Sequence, residues 1–232
     1  RLVAPQILKH ARKDADKISV GKQNGVAGIT QNKINSLLIK LIRQGKRVCR
    51  LKGGDPFIFG RGGEELAALN AAGIDCEVVP GITAAAGCAA AVGIPLTHRN
   101  IARSVTFVTG QTSAGQEPDW RQLVHKDQTL VMYMSLRQLE TTCRQLIAAG
   151  RTADCSVVLI ENGTTSQQRS FRSTLTELAA DTSAHQVQSP ALLIIGDVAA
   201  LSNLQDVPPS VSNQLGEQPW LPVAHSPTNL SL

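Results

Sequence analysis

Apolar positions fall into two kinds of pattern that alternate along the chain. Ile34, Leu37, Leu38, Leu41 and Ile42 recur at helical spacing, and Gly45 stops that helix. Pro5 to Arg12 also reads as helical, Glu64 to Ala72 as a helix ended by Gly73, and Thr83 to Val92 as a helix of small side chains. Between them lie short apolar runs, Lys17–Val20, Arg47–Leu51 and Cys76–Val79, each bounded by turn residues and each expected to be a strand. Strands alternating with helices predict an α/β fold with a parallel sheet.

The polar, turn-rich segment Gly93–Arg103 interrupts this series and is expected to separate two domains, 1–99 and 104–204. A second series follows: strand 104–109, helix near 118–125, strand 129–134, helix 136–148, strand 155–160, then strands over Arg169–Arg172 and Ala191–Ile195. Ser135-Leu-Arg-Gln138 and Thr174-Leu-Thr-Glu177 read as capping boxes, in which a side-chain oxygen accepts an otherwise unpaired amide. From about Gln205 periodicity stops, prolines accumulate and charges thin out, so 205–232 is expected to be a disordered tail.

Composition narrows the class. A chain of 232 residues, 42% hydrophobic and 18% charged, can bury a substantial core. No apolar stretch is long enough to span a bilayer, and Ile82–Val92 is short and mostly alanine and glycine. The five cysteines are scattered without a CxxC pair, which argues against a zinc site or a disulfide framework and for a cytoplasmic protein. No metal is expected. Net charge is +5, but residues 1–61 hold 14 of the 23 Lys and Arg against only Asp14, Asp16 and Asp55. That bias predicts an anionic partner. With 3% aromatic residues and no recognisable binding module, nucleic acid is disfavoured.

The chemistry concentrates in residues 49–65, CRLKGGDPFIFGRGGEE. A short strand breaks on Gly53-Gly54, places Asp55-Pro56 at its carboxyl end, and leads through Gly60-Arg61-Gly62-Gly63 into a helix. Ligands of open α/β sheets bind at the carboxyl ends of strands, where glycine lets backbone approach them. Two glycine clusters around Phe57-Ile58-Phe59 predict a shaped pocket rather than a bare turn.

This run closely resembles the second motif of uroporphyrinogen-III C-methyltransferases, S-adenosylmethionine-dependent enzymes of sirohaem and cobalamin synthesis. Val79-Pro-Gly-Ile-Thr-Ala-Ala85, Gly93-Ile-Pro-Leu-Thr-His-Arg99, Glu161-Asn-Gly-Thr164 and Ser189-Pro-Ala-Leu192 follow in the family's order, over about residues 1–204. The resemblance implies two α/β domains with the active site in the cleft between them, a homodimer, and S-adenosylmethionine as methyl donor. It also implies two successive methylations of uroporphyrinogen III to precorrin-2. Gly53, Gly54, Asp55, Ile58, Thr83, Ala84, Met134 and Gly163 match the family's cofactor-binding positions, and Lys22 its proton donor. Arg50 and Arg61, which flank the glycine motif, suit the eight carboxylates of the acceptor.

Read without the resemblance, Lys22 is a surface lysine, Thr83 a plain N-cap and Met134 a core residue. His98 is expected to be structural. Ser135 stands where relatives commonly carry glycine. The family's opening strand, its Gly-Pro-Gly-Asp loop and the proton-accepting aspartate are expected to lie upstream of Arg1. A non-catalytic cofactor-binding or dimerisation fragment, and another tetrapyrrole methylase, remain as alternatives.

Overall fold

A computed structural model describes residues 2–21, 29–110 and 117–202. The first hundred residues supply three α-helices: α1 (Gln31–Arg43), α2 (Gly62–Ala71) and α3 (Ala84–Ala91), preceded by a 3-10 helix at Pro5–His10. α1 begins at Thr30, whose hydroxyl accepts from the Lys33 amide, and ends before Gly45 at φ +78°. Its apolar stripe packs Ile34 and Leu38 against Leu69 of α2, with Val48 and Ile74 at the margin of this small cluster.

All five strands among the described residues follow Arg103: β1 (Ser104–Thr109), β2 (Gln128–Tyr133), β3 (Ser156–Glu161), β4 (Arg169–Thr174) and β5 (Ala191–Ile195). They form one sheet in the order β1-β2-β5-β3-β4. Only β1 and β2 are parallel neighbours; β5 runs antiparallel to both β2 and β3, and β4 antiparallel to β3. This sheet is therefore mixed, and the parallel sheet expected from the first series of strands does not form among the described residues. The link between β3 and β4 is too short for a crossover helix, so the two pair as a hairpin.

Residues 17–20, 47–51 and 76–79, expected as strands, join no ladder among the described residues. An apolar β-branched run states a preference for a pleated, half-buried surface, but a strand exists only where a neighbour takes its backbone hydrogen bonds. The helix expected near 118–125 is a single 3-10 turn, Trp120–Leu123, capped by Asp119. The expected helix 136–148 divides into a 3-10 turn at Leu136–Gln138 and α4 (Leu139–Ala148). α5 (Leu178–Ala184) lies between β4 and β5.

The sheet's alternation builds two cores. Leu130, Met132, Val157, Leu159, Leu193 and Ile195 face α4 and α5. Val131, Val158, Ile160, Leu192 and Ile194 face α3 and the 3-10 turn at Asp197–Leu201. Burial of each such side chain contributes roughly 1.5–3 kcal/mol, so the strands' register is fixed on both faces at once. α3 can lie close to the sheet because its buried face is only Ala85, Cys88 and Ala89. The tail expected at 205–232 falls outside the described residues.

Candidate active site

β1, β2 and β3 all run the same way, so their carboxyl ends share one edge of the sheet. There the loops of the first half meet them. Asp55 is the central fastener: its carboxylate accepts from the Phe57 amide at 2.8 Å and from the Gly81 amide at 3.0 Å. These two amides, Gly81 foremost, hold the exposed carboxyl below its usual range. One side chain thus joins the glycine-rich loop to the loop that opens α3.

The join is backbone on backbone, and glycine is needed for it. A Cβ on Gly81 would collide with the Gly54 carbonyl, and Gly54, at φ +79°, lies against Ile82, Thr83 and Ala84. The amide of Gly62 donates to Pro56 O at 2.9 Å, closing the inner turn. A Cβ at Gly60 or Gly62 would fall 2.6 or 2.5 Å from that same oxygen.

Tyr133, the chain's only tyrosine, ends β2 and reaches back to this assembly. Its hydroxyl shares a 2.7 Å hydrogen bond with Thr83 Oγ1 and accepts from the Ala85 amide at 2.9 Å. Its ring lies 4.8 Å from that of Phe59, centroid to centroid. Thr83 therefore does not act as a plain N-cap; no amide of α3 bonds its side chain. Met134 follows at φ 54° with half its surface exposed, which removes it from the core. Past β3, a Cβ on Gly163 would collide with Cys88 Sγ of α3, and Thr164 meets Gly87.

Of the sequence-derived positions, Gly53, Gly54, Asp55, Thr83, Ala84, Met134 and Gly163 all lie on this group of touching loops, with Ile58 in the glycine-rich loop. Gly53 also packs against Leu2. Phe59, Arg61, Met134, Asn162 and Thr164, five of the seven non-glycine residues at positive φ, stand in the same loops. Such conformations each cost about 1–3 kcal/mol and gather at ligand sites. Large apolar side chains left in the open cluster here too: Ile82, Val79 and Phe57 are each more than half exposed. Bare backbone beside exposed apolar groups suits a ligand that is part aromatic and part polar.

Arg61 is exposed and grips Glu64 with Nε and Nη2 at 2.7 and 2.6 Å. Arg50 turns inward to Glu65 Oε1 at 3.2 Å and to the Leu51 carbonyl. Lys22 lies outside the described residues. His98 braces a turn: its Nδ1 is 2.7 Å from Arg99 O, and its backbone pairs with Ala102.

The expected Ser135 cap is corrected. Its hydroxyl makes no cap and no other hydrogen bond among the described residues; the Gln138 amide it would serve donates to the Ser135 carbonyl at 3.1 Å instead. At Thr174 the hydroxyl accepts from the Glu177 amide at 3.3 Å and donates to its carboxylate, but Thr174 ends β4 and α5 starts after Glu177 without a side-chain cap, so the second expected box caps no helix either. The sequence motifs include Phe59, Gly81 and Glu65 but assign them no individual role, and Tyr133 is passed over altogether. The solitary tyrosine at a strand end was the one available signal.

Among the described residues no cluster of His, Cys, Asp or Glu could hold a metal ion, and no helix is long and apolar enough to cross a membrane. Burial pushes the Cys88 thiol up to about 11, so beneath Gly163 it is a neutral packing group, not a nucleophile.

The sequence pattern described as "Tetrapyrrole (Corrin/Porphyrin) Methylases" matches residues 1–179. The siroheme synthase of Pseudomonas fluorescens (strain SBW25) is 54% identical over 202 residues, covering 87% of this chain and 44% of that protein. The chain thus spans less than half the length of such relatives. The uroporphyrin III C-methyl transferase of Thermus thermophilus superposes with a TM-score of 0.72 at 35% identity, over 87% of this chain and 85% of that one. The same enzyme complexed with S-adenyl homocysteine gives the same TM-score and identity, over 87% and 84%. With the pattern spanning most of its length and a solved relative matched nearly end to end, the chain belongs to the tetrapyrrole methylases.

Proposed function

We propose that the chain is an S-adenosylmethionine-dependent C-methyltransferase that converts uroporphyrinogen III to precorrin-2 by two successive methyl transfers. One observation carries the reading: Asp55 and Tyr133 fasten the glycine-rich loop, the Gly81–Ala84 loop and the end of β2 to one another, and Gly163, just past β3, packs against Cys88 of α3 beside them. The likeness to a uroporphyrin III C-methyl transferase, including its complex with S-adenyl homocysteine, supports the choice of reaction and donor.

When bound, the donor supplies a methyl group on a sulfonium, whose departure leaves a neutral thioether. The protein's task is then orientation, which can account for many kcal/mol of a barrier without metal or covalent chemistry. Gly53, Gly54, Asp55, Ile58, Thr83, Ala84, Met134 and Gly163 are proposed to hold the donor. Bare amides and carbonyls of the loops would meet its polar groups, and Met134 and Ile58 its apolar surface. Arg61, exposed at the rim, is proposed to take a carboxylate of the acceptor in exchange for Glu64. Arg50, already paired, adds positive field beside it. Lys22 is proposed as the proton donor to the acceptor, while the ring proton that the methyl group displaces would leave to a separate base, the aspartate expected upstream of Arg1. The reading extends to a cytoplasmic homodimer.

Incubating the full-length protein with S-adenosylmethionine and enzymatically made uroporphyrinogen III should yield a dimethylated product by mass spectrometry. No mass gain on the acceptor would reject the assignment.

A further inference from the structure

Glu65 is buried, with 5% of its surface exposed, yet lies outside the fastenings described so far. Its Oε2 accepts from Lys52 Nζ at 2.9 Å. Its Oε1 accepts from Arg50 Nε at 3.2 Å and from Gln31 Nε2 at 3.0 Å. Lys52 is the last residue before Gly53-Gly54-Asp55, and its side chain is itself 10% exposed. Glu65 stands in the first turn of α2, just after Gly60-Arg61-Gly62-Gly63. Gln31 opens α1.

One carboxylate therefore spans the mouth of the glycine-rich loop, joining its entry at Lys52 to its exit on α2 and both to α1. We propose that Glu65 is a positioning residue: the Lys52–Glu65 bridge closes the 53–64 loop at its base and so pre-shapes the Gly53–Asp55 backbone for the methyl donor. This rests on the function proposed above and adds to it the part that sets donor affinity.

The physical case is one of cost. A buried ion pair seldom stabilises a fold more than an apolar pair of equal volume would. An apolar pair would not fix direction, whereas three donors around one carboxylate do. The loop they close has Gly54 at a left-handed φ and two non-glycine residues, Phe59 and Arg61, at φ 51° and 59°. A loop so shaped reopens unless its ends are held. Burial opposes ionisation of Glu65, but the hydrogen bonds from Lys52 and Gln31 and the charge of Arg50 outweigh it, and the carboxyl is held below its usual range.

The test uses the full-length protein, S-adenosylhomocysteine binding by calorimetry, and steady-state methylation. Glu65→Gln and Lys52→Met should each weaken S-adenosylhomocysteine binding and raise KM for S-adenosylmethionine about tenfold or more, while kcat changes by less than about threefold. Glu65→Asp should recover part of the loss. Lys46→Gln, which breaks only the exposed Lys46–Asp16 pair, should leave all three quantities unchanged. Should Glu65→Gln not fold, Lys52→Met, which leaves Glu65 with Arg50 and Gln31, decides alone. Binding within threefold of the unaltered protein in the folded variant overturns the proposal, as does an equal fall in kcat with KM unmoved. Failure of the unaltered protein to bind S-adenosylhomocysteine would instead reject the functional reading beneath it.

Discussion

At the scale of single residues, the site depends on places where a side chain has no room. Gly163 is one: its would-be Cβ and the Cys88 thiol compete for the same space, with Ile160 Cγ2 only 3.2 Å from it. Gly163→Ala should destabilise the protein by about 1–3 kcal/mol, the usual cost of overpacking. Cys88→Ala alone should cost on the order of 1 kcal/mol through the void it leaves. Combined, the two changes should cost less than their sum by ~1 kcal/mol or more, because the deleted sulfur makes room for the added methyl. Urea denaturation of the four proteins measures this, and simple additivity would show that the two residues do not meet. Tyr133 makes the opposite point. Its hydroxyl serves Thr83 and Ala85 together, so Tyr133→Phe removes one oxygen and leaves two polar groups unpaired. A loss of about 1–3 kcal/mol is expected, on the scale of unsatisfied buried groups, together with weaker S-adenosylhomocysteine binding. A Tyr133→Phe protein with unchanged melting temperature and affinity would mean that the hydroxyl fastens nothing.

At the scale of elements, the carboxylates that knit loops together give the site a particular response to acid. Asp55 and Glu65 both have folded pKa values below their unfolded ones. Each therefore contributes stability that is present above the unfolded value and is lost as pH falls through the folded one. S-adenosylhomocysteine affinity should stay level from neutral pH downward and fail only below about pH 4, where carboxyls protonate. Asp55→Asn, measured by calorimetry across the same range, should start weaker and lose part of that acid limb. A decline between pH 6 and 8 would mean that another group governs the loops. The elements also mark how much was legible beforehand. β1, β3, β5, α1 and α4 could be read within a residue or three because apolar periodicity and terminal glycines are local signals. The ladder partners were not legible: nothing within Arg47–Leu51 or Cys76–Val79 states which neighbour takes their amides, and the antiparallel course of β5 depends on contacts far along the chain. Ser135 reads as a cap from spacing alone, but the Gln138 amide turns to the Ser135 carbonyl in a 3-10 turn. The glycine-rich motif was legible because close backbone approach admits so few residue types. Its connection to Tyr133 was not, since a tyrosine's partners are chosen by tertiary packing.

At the scale of the whole molecule, charge and architecture divide the labour between the halves. The stretch after Arg103 holds the sheet and one large core, α3 completes the other core from the opposite side, and the first third holds 14 of the 23 cationic residues. Several of these, including Lys9, Lys13 and Arg47, are exposed and form no ion pair among the described residues, whereas Arg12 and Lys46 are partly neutralised by Asp14 and Asp16. A surplus of this kind adds little to folding but raises the local concentration of an anion and speeds its approach. The proposed acceptor carries eight carboxylates; the proposed donor carries net positive charge and gains nothing from the same field. The two substrates should therefore respond differently to salt. Raising ionic strength from about 0.05 to about 0.5 M shortens the screening length from ~14 Å to ~4 Å, which should raise KM for uroporphyrinogen III severalfold and leave KM for S-adenosylmethionine nearly constant. Replacing Lys9 and Lys13 by glutamate, at surface positions remote in sequence from every loop of the site, should flatten that salt dependence without changing kcat. Equal salt slopes for both substrates, or a slope indifferent to the two lysines, would mean that the basic third of the chain does not guide the acceptor and that its charge serves another surface of the protein.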